Sequence, residues 1–114
     1  NREVRLACVR FFGANRYDGA YDELCAMASC TAPERWEYAA VAASALAAYP
    51  EARTVDILAT CLSSSAYHVR FNAAKSLHEL GLSLEDDLRH IAEGPDRYAR
   101  EMLRYRWNMQ GGAQ

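Results

Sequence analysis

The stretch Ala66–Gly81, AYHVRFNAAKSLHELG, decides how the chain is read. Val69, Ala73, Leu77 and Leu80 follow one another at steps of four, four and three, which keeps them on one face of a helix. Gly81 stands where a helix ends in a residue free to take positive φ. Ser83-Leu84-Glu85-Asp86 then has the form of a capping box that opens a second helix. A helix, a tight turn and another helix are therefore predicted from Ala66 onward.

The same pattern recurs on both sides of this stretch. Val4-Arg5-Leu6-Ala7-Cys8 matches Val69-Arg70-Phe71-Asn72-Ala73, with Phe11 and Phe12 further along the same turn pattern. Laid on Tyr38, the template places Ala42, Ala43 and Leu46; laid on Tyr98, it places Met102, Leu103, Tyr105 and Met109 on one side, with Tyr98, Met102, Tyr105 and Met109 as the buried stripe. Between these first helices lie second helices anchored by Leu24, Leu58 and Leu88, whose separations of 34 and 30 residues show that both helices repeat together. Ala20 and Met27, Val55 and Leu62, and Leu84 and Ile91 complete the three second-helix faces.

Punctuation agrees with this division. Thr31-Ala32-Pro33-Glu34 reads as a cap, an early proline and an acid three places on, and Pro50, Ser63-Ser64-Ser65 and Gly94-Pro95-Asp96 mark the other boundaries. No alternating run bounded by turns suggests a strand, so an all-α chain is expected. A single pair of helices cannot cover its own apolar faces, and stacking of pairs solves that. Ala39, Ala40, Ala42, Ala43, Ala45, Ala47 and Ala48 make one first helix slim nearly all round, as close packing on two sides requires.

These repeats resemble HEAT-like repeats of the short, armadillo-like type. Val4-Arg5 and Val69-Arg70, each with a small residue following and then Phe12 or Leu77, carry the resemblance. It implies an α-α superhelix of about three and a half helical pairs, a single domain over residues 1–110 and a tail at 111–114. It also implies that Arg5 and Arg70 pair with acids of a neighbouring repeat, a ladder broken where Ala39 and Ala99 stand in place of arginine. The Trp, Leu-Gly and Tyr spacing of tetratricopeptide repeats and the Thr-Pro-Leu-His of ankyrin repeats are missing.

At 114 residues the chain has room for one domain, and 51% apolar against 25% charged residues is a globular rather than a disordered balance. The longest uncharged run, Tyr38 to Pro50, is shorter than the roughly 20 residues a bilayer span needs. A cytoplasmic location is the expectation. Helical spacing from Val4, before any capping signal, leads us to expect a chain that begins inside a larger protein, whose missing part could carry a membrane anchor. Of the 13 basic residues only Lys75 is lysine, which we read as a compositional bias of a bacterial genome.

Chemistry finds little support in these residues. His68, His78 and His90 lack metal-ligand spacing, and Cys8, Cys25, Cys30 and Cys61 form no Cys-x-x-Cys pair, so no metal, no cofactor and reduced, buried thiols are expected. Glu85, Asp86 and Asp87 fall in the predicted first turn of a helix, where the helix dipole stabilises negative charge, and need no catalytic explanation.

Charge separates by layer. First-helix segments (1–16, 33–50, 66–81, 95–114) total +5 and second-helix segments total −7. The resemblance implies that the second helices line the concave side, which makes that side acidic and nucleic acid a poor ligand there. Asp22, Asp56 and Asp86 each stand two residues before an anchor leucine, a turn of about 200° that sets the carboxylates opposite the buried face. His90 flanks the last of them. The expectation is a non-catalytic protein-interaction or scaffold module that binds a basic protein surface or peptide on this acidic ladder. Two other readings stand beside it: nucleic-acid binding through Arg97, Arg100 and Arg104, interleaved with Tyr98, Tyr105 and Trp107, or a purely structural spacer.

Overall fold

The computed structural model describes residues 1–111, the last two as backbone alone. Seven helices follow in order: α1 Arg2–Ala14, α2 Tyr21–Ser29, α3 Trp36–Ala45, α4 Ala52–Cys61, α5 Tyr67–Glu79, α6 Arg89–Ala92 and α7 Arg97–Gly111. Short 3₁₀ turns at Asp18–Ala20, Pro33–Arg35 and Leu46–Ala48 join or extend them, and no strand occurs among the described residues. The first helices α1, α3, α5 and α7 pack side by side in sequence, while α2 packs on α3 and α4. The fold is an α-α solenoid of three pairs and a fourth first helix, 39 Å along its longest axis.

One apolar core runs through the stack, from Val9 in α1 to Leu103 in α7. The three anchors Leu24, Leu58 and Leu88 are all buried, as the repeat pattern demands. Alanine makes α3 the hub. Ala39, Ala40, Ala42, Ala43 and Ala45 are buried, with α1 on one side and α5 on the other. A Cβ placed on Gly13 would lie 2.9 Å from the Ala45 Cα, so α1 reaches α3 this closely only because that residue has no side chain.

Polar pegs fix the register of this smooth seam. The buried Ser76 hydroxyl donates to the Ala43 carbonyl at 2.7 Å, and the Asn72 amide donates to the Ala40 carbonyl at 2.8 Å. In the other layer, the Tyr21 and Thr54 hydroxyls share a hydrogen bond of 2.7 Å between α2 and α4.

The turn after α5 closes as predicted. Gly81 has φ of 84°, its N–H donates to the His78 carbonyl, and the Leu82 N–H reaches back to the Leu77 carbonyl. This is the Schellman arrangement, which satisfies carbonyls that the helix end leaves open.

Several local expectations are corrected. The second helix of the third pair shrinks to Arg89–Ala92, with residues 84–87 wound as turns. Ser83 still caps, accepting from the Asp86 N–H at 3.0 Å, but the acid that returns to the Ser83 N–H is Asp87 at 2.9 Å. The Ser83 carbonyl takes both the Asp87 and Leu88 N–H groups, which holds this stretch in a tight turn instead of a regular helix. Thr31 caps nothing: the Pro33 turn starts after Ala32, and α3 begins without a side-chain cap. Asn1 does cap α1, its side chain accepting from the Val4 N–H, so the missing start signal was present as an asparagine.

Both end helices are rotated from their predicted faces. In α1 the buried residues are Leu6 and Val9, while Val4, Cys8 and Phe11 are exposed. In α7 Ala99, Met102 and Leu103 are buried, and Tyr98, Tyr105 and Met109 stand out of the core. The reason is the closeness of the first helices: α5 admits a small residue at Ala99, and the tyrosine beside it turns outward. The expected tail from Gly111 falls mainly outside the described residues, and α7 continues to Gly111.

Candidate interaction surfaces

Rotation of α7 builds the most distinctive surface of the molecule. Tyr67, Arg70, Tyr98, Glu101, Met102 and Tyr105 line an open cleft of about 330 Å³ between α5 and α7. Tyr67, Tyr98 and Tyr105 are 51%, 64% and 53% exposed, which leaves three aromatic rings around one cleft open to solvent.

Arg70 organises the cleft. Its guanidinium donates to the Ser64 carbonyl at 2.8 Å and lies over the rings of Tyr67 and Tyr98, 5.7 and 4.9 Å from their centroids. Arg5 makes the matching contact two junctions earlier, between α1 and α3, 5.8 Å above the Tyr38 ring. Arginines expected to meet acids of the next repeat meet tyrosines instead. Along the same edge the Trp36 ring stacks on His68 at 5.6 Å, and His68 meets Tyr67 edge to face at 5.5 Å. A continuous line of exposed aromatic and basic groups thus runs from α3 across α5 to α7.

The arginines proposed for nucleic acid all have partners within the chain. Arg97 pairs with Glu101 at 3.0 Å, Arg100 donates to the Gly94 carbonyl at 2.8 Å, and Arg104 donates to the Ala92 carbonyl at 3.0 Å. The last two tie α7 to α6 and its flanking turn. Asp96 completes that corner. Its carboxylate accepts from the Ala99 N–H and from the Ser63 hydroxyl, the latter contact holding the Asp96 carboxyl below its ordinary value.

The acidic residues are distributed less evenly than a ladder. Asp22, Asp56, Asp86 and His90 are all exposed. Asp22 and Asp56 lie on the helices α2 and α4. Asp86 sits in the turn before α6, so helical geometry does not govern its direction. The Asp22 carboxylate is engaged by Arg53 of α4 at 2.5 Å, an ion pair that joins successive second helices. His90 lies in α6.

The four cysteines are free thiols: Cys25 and Cys61 are buried, Cys30 is half-buried and Cys8 is exposed, against the expectation that all were covered. Burial pushes the Cys61 thiol up to about 11, and its sulfur contacts the Ala28 carbonyl at 3.3 Å. Among the described residues no three His, Cys, Asp or Glu side chains converge as metal ligands, and no helix is long and apolar enough to cross a membrane.

Periodicity alone missed the tyrosine cleft, because tyrosine at helical spacing reads as core. The signal available was the alanine beside two of the rings, Ala66 before Tyr67 and Ala99 after Tyr98.

A family model described as HEAT repeats matches residues 29–105, from the end of α2 into α7. No curated protein and no solved structure matches the chain. With paired helices, a shared core and a family match over most of its length, the chain belongs to the HEAT repeat family.

Proposed function

We propose that the chain is a non-catalytic protein-interaction module that holds an extended segment of a partner in the tyrosine cleft between α5 and α7. The observation that carries this reading is the exposure of Tyr67, Tyr98 and Tyr105 around Arg70 and Met102. Tyrosine and arginine dominate the energetic centres of protein interfaces, because a ring buries much apolar area with few rotors and keeps a polar tip. Grooves walled by aromatic rings suit extended, proline-containing segments, whose backbone is already ordered. Here the rings of Tyr67 and Tyr98 are held by Arg70 before any partner arrives, which lowers the ordering cost of binding.

A second reading places a basic segment on the acidic layer. It is supported by exposed Asp56, Asp86 and His90, and weakened by the engagement of Asp22 with Arg53. Nucleic acid is less favoured, since Arg97, Arg100 and Arg104 are already occupied within the fold.

The test is affinity capture from source-cell lysate with three folded baits: wild type, Tyr98→Ala/Tyr105→Ala and Asp56→Lys/Asp86→Lys. A protein lost only from the tyrosine variant supports the cleft, and loss only from the aspartate variant moves the site to the acidic layer. If all three baits return the same proteins, the chain is a spacer. Recovery that disappears after nuclease treatment would reinstate nucleic acid.

A further inference from the structure

The exposed rings of the first-helix layer are not scattered. The separations from Trp36 to Tyr67 and from Tyr67 to Tyr98 are both 31 residues, and each ring occupies one of the first two positions of its helix, α3, α5 or α7. Trp36 is 40% exposed and the two tyrosines more, so each of these repeats presents one ring to solvent. Contacts join the three into one edge: Trp36 stacks on His68, His68 meets Tyr67, and Arg70 lies over both Tyr67 and Tyr98. One exposed ring needs no explanation, but a ring open at the same place in three successive repeats marks a surface that meets something periodic.

The step between rings selects the ligand's backbone. Packed helices lie about 8–10 Å apart, and the rings advance by that step from one repeat to the next. A polyproline II segment, rising roughly 3.1 Å per residue with three residues per turn, advances about 9 Å per turn. A β-strand returns to one face every ~7 Å and falls short, while two turns of α-helix advance about 11 Å and overshoot. The edge therefore fits a segment with a proline at every third position. Each ring also offers a donor, the Trp36 N–H or a tyrosine O–H, to the carbonyls that a polyproline II backbone leaves free.

Charge sets the rest of the chemistry. Among the described residues, Arg35 and Arg70 lie on aromatic rings and have no carboxylate partner. Glu37 and Glu101 are held by Arg2 and Arg97, and Asp96 by Ser63 and the Ala99 N–H, which leaves the exposed Glu34 against two guanidinium groups. We propose that this edge binds an acidic, proline-rich segment of a partner protein, laid across the N-terminal ends of α3, α5 and α7, with prolines on the three rings and carboxylates on Arg35 and Arg70. The proposal rests on the tyrosine cleft being the interaction site, names its ligand and extends it to Trp36. A nucleic-acid strand fits less well, because two guanidinium groups neutralise few phosphates.

The test titrates the isotope-labelled whole chain with three capped synthetic peptides, four repeats each of Pro-Pro-Glu, Pro-Pro-Lys and Ala-Ala-Glu. The magnetic resonance signals of the Trp36 indole and the Tyr67 and Tyr98 amides are followed. Pro-Pro-Glu should shift all three and saturate, and the other two peptides should bind at least about tenfold more weakly, one lacking the charge and the other the ordered backbone. Trp36→Ala, Tyr67→Ala and Tyr98→Ala should each weaken binding about fivefold or more with circular dichroism unchanged, and Trp36→Leu replaces the alanine variant if that one unfolds. No saturable shift up to about 5 mM, where millimolar binding is visible, overturns the proposal. Equal affinity for the lysine or alanine peptide overturns it too, and so does a loss on Tyr98→Ala that Trp36→Ala or Trp36→Leu does not share. None of these outcomes touches the lysate capture, in which a protein lost only from the tyrosine bait keeps the cleft as the site with another ligand. An oligothymidylate that shifts the same signals at lower concentration than Pro-Pro-Glu overturns the proposal in favour of nucleic acid.

Discussion

The Tyr49 hydroxyl donates to the Phe12 carbonyl at 2.9 Å, reaching from the end of the second pair's first helix back into the last turns of α1. The same oxygen accepts from the Tyr17 N–H at 3.1 Å, and the buried ring stacks on Tyr21 at 5.5 Å. One side chain thereby closes the loop between α1 and α2 against the next repeat. Tyr49→Phe keeps the ring and leaves the Tyr17 N–H and Phe12 carbonyl without this partner, at a cost of about 1–3 kcal/mol. Urea titration should show an earlier midpoint with an unchanged slope; a midpoint equal to wild type would mean that water replaces the hydroxyl without loss.

Leu77 is fully buried where α5 meets its neighbours. Leu77→Ala should cost about 2–5 kcal/mol through lost burial and the cavity left behind. Leu77→Asp places a carboxylate with no partner in the same site and should unfold the stack as one cooperative unit. A circular dichroism melt of the aspartate variant that overlays wild type would refute this packing.

Gly81 has φ of 84° and open space where a Cβ would stand. Its replacement by alanine therefore isolates the backbone term, roughly 1–2 kcal/mol for an L-residue in the left-handed region. Gly81→Asn should recover part of that loss, because asparagine tolerates this conformation better. Equal melting temperatures for the alanine and asparagine variants would contradict a conformational origin.

Asp96 caps α7 and receives the Ser63 hydroxyl, and its carboxyl is held below the ordinary 3.8 chiefly by that hydroxyl and next by the Ala99 N–H. A depressed carboxyl contributes stability that is present above the unfolded-state value and disappears as pH falls through the lower folded-state value. Asp96→Ala should therefore lower stability at neutral pH by about 1 kcal/mol, the usual worth of a cap. The gap between variant and wild type should narrow below the ordinary carboxylate range; a gap that stays constant into acid would show that charge has no part in the cap.

How much of this was legible in the sequence follows from what each signal reports. Leu24 and Leu58 were readable because a leucine facing a core from a regular helix keeps its period, and Leu88 keeps the same buried place although it stands just before α6. Gly81 was readable because few residues but glycine take its conformation. α6 was not, since the competition between a helix and the Ser83 turn is settled by which carbonyl collects the Asp87 and Leu88 N–H groups. Tyr98 and Ala99 exchanged roles for a similar reason. Hydrophobicity favoured the ring for the core, but at this point of α7 the buried place is taken by the Ala99 methyl group and the Tyr98 ring is exposed. The arginine partners were hidden as well, because a guanidinium can satisfy itself on an aromatic face or a carboxylate, and Arg5 and Arg70 found tyrosines.

The seam between α3 and α5 has a mechanical side. Alanine surfaces present almost no relief to each other, so two such helices would slide along their axes with little resistance. Ser76 and Asn72, bonded to the Ala43 and Ala40 carbonyls, act on that seam as dowels do in a joint. They resist shear along the helix axes. A pulling force along the stack therefore meets two directional bonds at this junction as well as packing, so slip here requires both to break.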